Sequence, residues 1–349
     1  MSLRLRFLKS EIVNIIMSIE NLKKIIIEND NFLISSHINP DGDSIGGILA
    51  MGWLLDKLSK RNSIVIDSAP SEKFKYLSGF ERILKYSEEL KLPFEPKNLI
   101  VIDAPNLERL EKVNRLFPKD IMIINIDHHE SNSSFGNINY IDFNAASSTE
   151  IICDLIISCG IPLDKDVAED IYTGMVIDTG RFRFSSTTPK TFMAAAKLLE
   201  AGARTSFIAE WLHHTNSLET IRGLGVLLNS LELAMDGRIA FTHFDVGYIK
   251  SKEGSKMDTD GFVNYPLSIE GVEVAVLLQE SENGKIRVSL RSKDKIDVND
   301  IAGVFKGGGH AKAAGCRING TIADAKRLLL QEIGKRIKEI KSEELRMKN

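Results

Sequence analysis

Four short apolar runs alternate with helical segments between about Asn31 and Gly202: FLISSH (32–37), SIVIDSA (63–69), NLIVIDA (98–104) and IMIINID (121–127). Parallel strands need a crossover after each strand and are buried on both faces, so continuous apolar runs spaced by helices predict a parallel α/β sheet. Several runs end on His or Asp. In open α/β sheets ligands sit beyond the carboxyl ends of the strands, and polar residues appearing just there mark where a site is built.

Helix signals fit this layout. Ser147 and Glu150 have capping-box spacing ahead of IICDLIISCG, and Thr188-Pro189 reads as an N-cap with a first-turn proline before a helix that Gly202 closes. From Thr205 to Met235 the chain is helical without strand character. Beyond it come a strand at 238–244, a hairpin in which VEVAVLLQE and KIRVSLRS flank Glu282-Asn283-Gly284, a Gly-rich turn and a long amphipathic helix. The expected class is α/β, with an N-terminal parallel-sheet domain and a second, smaller α+β domain. The expected divisions are 1–204 with an N-terminal helix, a helical linker over 205–235, and 236–349.

The basic, apolar start MSLRLRFLKSEIVNIIM is interrupted by Glu11, lacks a small-residue cleavage site and runs into the amphipathic pattern SIENLKKIIIEND, so it reads as a helix rather than a signal peptide. No apolar stretch reaches membrane-spanning length. Cys153, Cys159 and Cys316 form no CxxC pair, which suits the reducing cytoplasm. A net charge of −3 argues against gripping long duplex DNA, whose binding rests on many Lys/Arg–phosphate contacts.

The chemistry-bearing residues gather in four places. His37, Asp41 and Asp43 lie in a loop bent by Pro40 and Gly42, where three donors within seven residues can converge on cations. The spacing alone fits equally a polar loop in which Asp43 or Ser44 caps the next helix. Asp103 ends the third run, and Asp127-His128-His129 end the fourth; if that strand continued, only one of the two histidines would face a site. Asp178 follows in GMVIDTGRF. Singly each has a plain reading as a turn or cap residue. Together they form a mixed carboxylate–imidazole set at one sheet edge, suited to two hard or borderline divalent ions. Two metals about 3.5–4 Å apart under a bridging carboxylate are the usual arrangement for attack at phosphorus.

HINPDGDS (37–44), the Asp of VIDAP (101–105), IDHHES (126–131) and VIDTGRF (176–182) resemble, in order, the four motifs of the DHH phosphoesterases, and GGGHAKAAG (307–315) resembles the signature of the accompanying DHHA1 domain. The resemblance runs from about Asn31 to Asp324, and the segments 264–280 and 285–292 are most similar to the nanoRNase branch. It implies a catalytic DHH domain and a substrate-binding DHHA1 domain. By motif, His37, Asp41, Asp43, Asp103, His128 and Asp178 would ligate two divalent ions, Mn²⁺ first and Mg²⁺ or Co²⁺ as alternatives, with Asp103 as the bridge. His129 would contact the substrate phosphate or leaving oxygen, and Asp127 would orient the histidines.

In the second domain Gly307-Gly308-Gly309-His310 opens into HAKAAG, a helical pattern whose amide N–H groups would cradle a phosphate, with a flexible turn as the alternative. The resemblance makes Arg291 and His310, with Gly308 and Gly309, the substrate binders; Ser147 and Ser148 are further candidates whose capping role explains them equally well. The function implied is hydrolysis of short oligoribonucleotides and of 3′-phosphoadenosine 5′-phosphate (pAp), in a cleft between two domains that closes about the 205–235 connection. The partners would be short single-stranded RNA, other oligonucleotides or nucleotide phosphates, with no membrane; a homodimer is compatible. The alternatives are a cyclic- or linear-dinucleotide phosphodiesterase, a single-strand DNA exonuclease, a pyrophosphatase or polyphosphatase, and a non-enzymatic nucleotide sensor.

Overall fold

Strand formation follows the apolar runs closely. The computed structural model describes residues 17–214, 216–259, 261–281, 284–293 and 295–347. The contacts divide the chain into two units, Met1–Leu212 and His213–Asn349.

In the first unit the helix α1 (Ile19–Glu28), capped by Ser18, precedes β1 (Phe32–Ser36), α2 (Gly42–Lys57), β2 (Asn62–Ile66), β3 (Ile83–Lys85), β4 (Asn98–Ile102), β5 (Met122–Asp127) and β6 (Ile138–Ile141). The helices α3 (Ser148–Ser158), α4 (Lys165–Asp178), α5 (Pro189–Glu200) and α6 (Thr205–His214) follow. The start of the expected N-terminal helix, up to residue 16, lies outside the described residues. All six strands pair in parallel in the order β3-β2-β1-β4-β5-β6. The order reverses between β1 and β4, and a reversal of this kind opens a crevice at the carboxyl ends of the strands.

The two faces of the sheet are covered differently. Ile34, Ile64, Ile100, Ile102, Ile124 and Ile126 pack under α2 and α3, whereas Leu33, Val65, Leu99 and Val101 meet Leu110 and Val113 of a 3₁₀ segment, Leu107–Arg115. The helical segment expected after β4 is thus a 3₁₀ segment. The capping of α5 is as expected, with reciprocal Thr188–Thr191 bonds, Pro189 at its start and Gly202 beyond its end at φ +102°. At α3 only half of the expected box forms: Ser147 Oγ accepts from Glu150 N, but the Glu150 carboxylate accepts from Ala146 N and Thr191 Oγ1 instead of the Ser147 N–H.

In the second unit α7 (Leu218–Asn229) leads into β7 (Glu232–Ala234) and β8 (Ile239–Phe244), then α8 (Val246–Lys250), α9 (Asn264–Leu267), β9 (Val274–Glu280), β10 (Lys285–Ser292), α10 (Val298–Val304), β11 (Gly308–His310), β12 (Ala313–Asn319) and α11 (Ile322–Met347). The sheet order is β11-β12-β10-β9-β8-β7, antiparallel except for the parallel β8–β9 pair. The expected hairpin is the β9–β10 pair, with Glu282 and Asn283 outside the described residues. Two expectations are corrected here. The stretch to Met235 does contain a strand, β7, which is too short for a periodic signal. The GGGHAKAAG segment is a β11–β12 hairpin, so Gly308, Gly309 and His310 do not open a helix. Alanine favours helix only weakly, and pairing overrides it: a Cβ on Gly309 would lie 2.4 Å from the Ala313 carbonyl oxygen, because this backbone lies flat on β12.

No helix among the described residues is long and apolar enough to cross a membrane. In the first unit α2 is central, and its glycines allow that. A Cβ on Gly46 would sit 2.3 Å from the Asp170 carbonyl oxygen of α4, and one on Gly47 2.8 Å from Ile102 of the sheet. Gly46→Ala therefore forces α2 and α4 apart against backbone, and we expect it to lower the unfolding free energy by about 1–3 kcal/mol. Urea denaturation measures this; an unchanged midpoint would mean that the helix pair is loosely packed.

Candidate metal centre

The carboxyl ends of β1, β4 and β5 place three of the sequence candidates side by side. His37 follows β1, Asp103 follows β4 and Asp127 closes β5. Asp41 and Asp43 enter from the start of α2, and Asp178 is the last residue of α4. His37, Asp41 and Asp103 offer donor atoms within 4.8 Å of one another, and so do Asp43, His128 and Asp178.

Asp103 connects the two groups. Its Oδ2 lies 3.6 Å from His37 Nε2, and its Oδ1 lies 3.7 Å from His128 Nε2. Its backbone is left-handed, at φ 58°, a conformation that an L-residue adopts only at a cost. Ser44 Oγ donates to Oδ2 at 2.6 Å, and Ser148 Oγ lies 3.4 Å from Oδ1.

The strand question at the adjacent histidines has a direct answer. β5 ends at Asp127, the chain turns, and His128 and His129 lie on the same side with ring centroids 4.9 Å apart. His128 Nε2 is 2.9 Å from Asp178 Oδ2. Asp127 Oδ1 accepts from the backbone of His128 and His129 and lies 2.7 Å from His129 Nδ1. Its other oxygen accepts from Asn132 Nδ2 at 2.5 Å. Asp127 therefore fixes the orientation of His129 from behind.

Asp43 is fully buried and has its own support. It accepts from Ser148 N, Thr149 N and Thr149 Oγ1 at 2.6, 3.0 and 2.6 Å, so the first turn of α3 points its positive end at this carboxylate. Asp41 instead caps α2 and is exposed. Ser147 and Ser148 are fully buried, and their hydroxyls engage Thr149, the backbone of Glu150, and Asp103. Asn132 and Thr149 were not legible as site residues, because a supporting hydrogen-bond donor has no characteristic spacing in sequence.

The electrostatics follow from this crowding. Burial alone would lower the pKa of His37, yet the neighbouring Asp103 carboxylate raises it to about 9. Burial is likewise outweighed at His128, by Asp178, and at His129, by Asp127; both sit above the ordinary imidazole value. Asp103 is buried too, but the surrounding imidazoles hold it below the usual carboxylate range. At Asp43, burial and then the charges of Asp178 and Asp103 push the carboxyl well above that range.

These donors fit divalent cations: they are oxygens and imidazole nitrogens without thiolates, and they cluster twice. The chain would hold the ions through His37, Asp41 and Asp103 on one side and Asp43, His128 and Asp178 on the other.

In the second unit β10, β12 and β11 run side by side, and Arg291, Ala313 and His310 form one cross-strand row, with Ser289, Gly315 and Gly308 two residues along and the Leu290, Ala314 and Gly309 row between them. Cross-strand partners share a face. Arg291 and His310 thus share one face of the sheet, on either side of the small Ala313 of the middle strand.

Two family models match the chain, the DHH family N-terminal domain over residues 31–175 and the DHHA1 domain over residues 243–339. A relative in Thermus thermophilus, named bifunctional oligoribonuclease and PAP phosphatase NrnA, is 31% identical over 295 residues, 83% of this chain and 85% of that protein. The protein of the same name in Bacillus subtilis is 28% identical, over 83% of this chain and 90% of that protein. The crystal structure of an exopolyphosphatase-related protein from Bacteroides fragilis matches with a TM-score of 0.83 at 30% identity, covering 91% of this chain and 95% of that one.

Because the His37 pKa is raised from 6.5 to about 9, the stability that it contributes is fully present below pH 6.5 and is lost as pH rises through about 9. His128 and His129 act in the same direction. Chelator-treated protein should therefore melt at progressively lower temperature across that window, and saturating divalent cation should flatten the dependence. A pH-independent melting temperature in the metal-free protein would show that these imidazoles are not paired as described.

Proposed function

The chain belongs to the DHH family, and from that premise we propose that it is a metal-dependent phosphoesterase that hydrolyses short oligoribonucleotides and pAp. The observation that carries this reading is the Asp103 carboxylate, whose two oxygens face two separate groups of donors at the switch point of the sheet. The chain spans most of the length of relatives named for these two activities, which supports the same substrates here.

When bound, two divalent cations, Mn²⁺ first, would lower the pKa of a water and offset charge on the phosphoryl oxygens. The protein's own part is positional. Asp103, fixed by Ser44, would hold the two sides together. Asp127, fixed by Asn132, keeps the Nδ1 proton of His129 in place, so the contact of that ring with the leaving oxygen falls to Nε2. We assign Arg291, with His310, Gly308 and Gly309, to the second phosphate or terminal nucleotide, since Arg presents a bidentate fork and the glycines leave room for a nucleotide to lie close. Three unpaired cysteines, two of them buried, accord with work in the cytoplasm.

The test is a side-by-side rate panel with pAp, a dinucleotide, a cyclic dinucleotide, pyrophosphate and a longer single strand, each with Mn²⁺. The first two should be the best substrates, and faster hydrolysis of pyrophosphate or of the long strand would overturn the assignment. Absence of turnover on all five would point to a nucleotide-sensing module. In the same assay Asp103→Ala should abolish hydrolysis in a folded protein, as judged by circular dichroism. Near-wild-type turnover would remove Asp103 from the centre of the reaction.

Arg291→Ala should raise KM for pAp and dinucleotides by the equivalent of about 1.5–3 kcal/mol with metal content unchanged. Bis(p-nitrophenyl) phosphate lacks a second phosphate and should suffer much less. Equal losses on both would place Arg291 at the reacting phosphate or in support of the fold.

A further inference from the structure

We propose that Arg109 binds the phosphoryl group undergoing hydrolysis, from the rim of the metal cluster in the first unit; the inference rests on the phosphoesterase reading above. Its guanidinium Nη2 lies 3.5 Å from His37 Nδ1. That nitrogen also lies 2.8 Å from the Ile38 carbonyl oxygen. A carbonyl oxygen only accepts, so Nδ1 carries a hydrogen and cannot accept one from Arg109. The contact is between two donors and satisfies neither partner's need for an acceptor.

Among the described residues no carboxylate takes up this charge. Arg82, Arg115 and Arg204 each hold a carboxylate at 2.7, 2.7 and 2.6 Å, whereas among the described residues no carboxylate pairs with Arg109, although acids crowd the neighbouring cluster. The side chain is exposed. Its backbone is nevertheless fixed, because Ile38 N donates to the Arg109 carbonyl at 2.8 Å, tying the residue to the loop that carries His37 and Asp41. The 3₁₀ segment breaks at Glu111, at φ 49° and ψ −119°, while Leu110 and Val113 stay in the core.

A guanidinium whose backbone is fixed beside His37, and which meets no carboxylate among the described residues, is matched to the non-bridging oxygens of a phosphate, which accept from both arms of the fork. Placed there, it would stabilise charge that builds on those oxygens during attack. Arg109 thus serves the phosphate common to every substrate, and Arg291 the one that only some substrates carry.

The experiment compares the full-length wild type, R109A and R109K in three readouts: bound divalent metal, affinity for inorganic phosphate by calorimetry with Mg²⁺ present, and kcat on bis(p-nitrophenyl) phosphate and pAp. The expected result for R109A is unchanged metal content, phosphate affinity lower by roughly tenfold or more, and kcat lower by about ten- to a hundredfold on both substrates. R109K should regain part of the phosphate affinity, since lysine keeps the charge and loses the fork. Loss of metal from R109A, with activity restored at saturating metal, would make Arg109 a support for His37 and overturn the proposal. Unchanged phosphate affinity with unchanged kcat would overturn it as well. If the wild type hydrolyses neither substrate, the phosphoesterase reading fails, and the phosphate-binding arm still decides whether Arg109 is an anion ligand.

Discussion

Negative charge held out of water is the constraint around which the first unit is arranged. Asp43, Asp103 and Asp127 are at most 2% exposed and lie within one small region with Asp41 and Asp178 close by. Burying one unpaired carboxylate is costly, and burying several together adds their mutual repulsion. Such a cluster persists only where the fold supplies donors from several directions.

The topology meets that demand. Placing β1 beside β4 brings together the loops after both strands, so the imidazole of His37 and the carboxylate of Asp103 meet although they are 66 positions apart in the chain. The first turn of α3 supplies N–H groups to Asp43, Ser44 supplies a hydroxyl to Asp103, and Asn132 supplies an amide to Asp127. Close packing of α2 delivers these groups to the right depth. At Gly174 of α4, a Cβ would fall 2.7 Å from Asp43 Oδ1, so even the neighbouring helix leaves space for that carboxylate.

The parts of this arrangement that were legible in sequence are those with a period or a punctuating residue. β1, β2, β4 and β5 announce themselves because strands buried on both faces must be continuously apolar. The candidate ligands stood out because an Asp or His directly after such a run has few other reasons to recur. β3 and β6 did not, being three and four residues long and largely unburied. GGGHAKAAG read as a helix entrance because alanine spacing says nothing of the partner strand that pairs with it. Asn132, Thr149 and Arg109 were silent for a related reason: their importance lies in which atom they face, and that is decided only when distant segments meet.

The scatter of the donors along the chain also ties the centre to the folding process. His37 and Asp178 are 141 positions apart, and the others come from three segments between them. No short peptide of this chain can assemble the set, in contrast to a zinc finger or a calcium-binding loop, whose ligands are local. Parallel sheets are built from non-local contacts whose loop-closure entropy must be met early, so these candidate ligands converge only after the slow part of assembly is complete. A divalent ion therefore cannot nucleate this fold. Held by these residues, it would bind tightly only to a chain that has already paired β1 with β4 and seated α4, and so it would withdraw finished molecules from the unfolding equilibrium without guiding the unfinished ones.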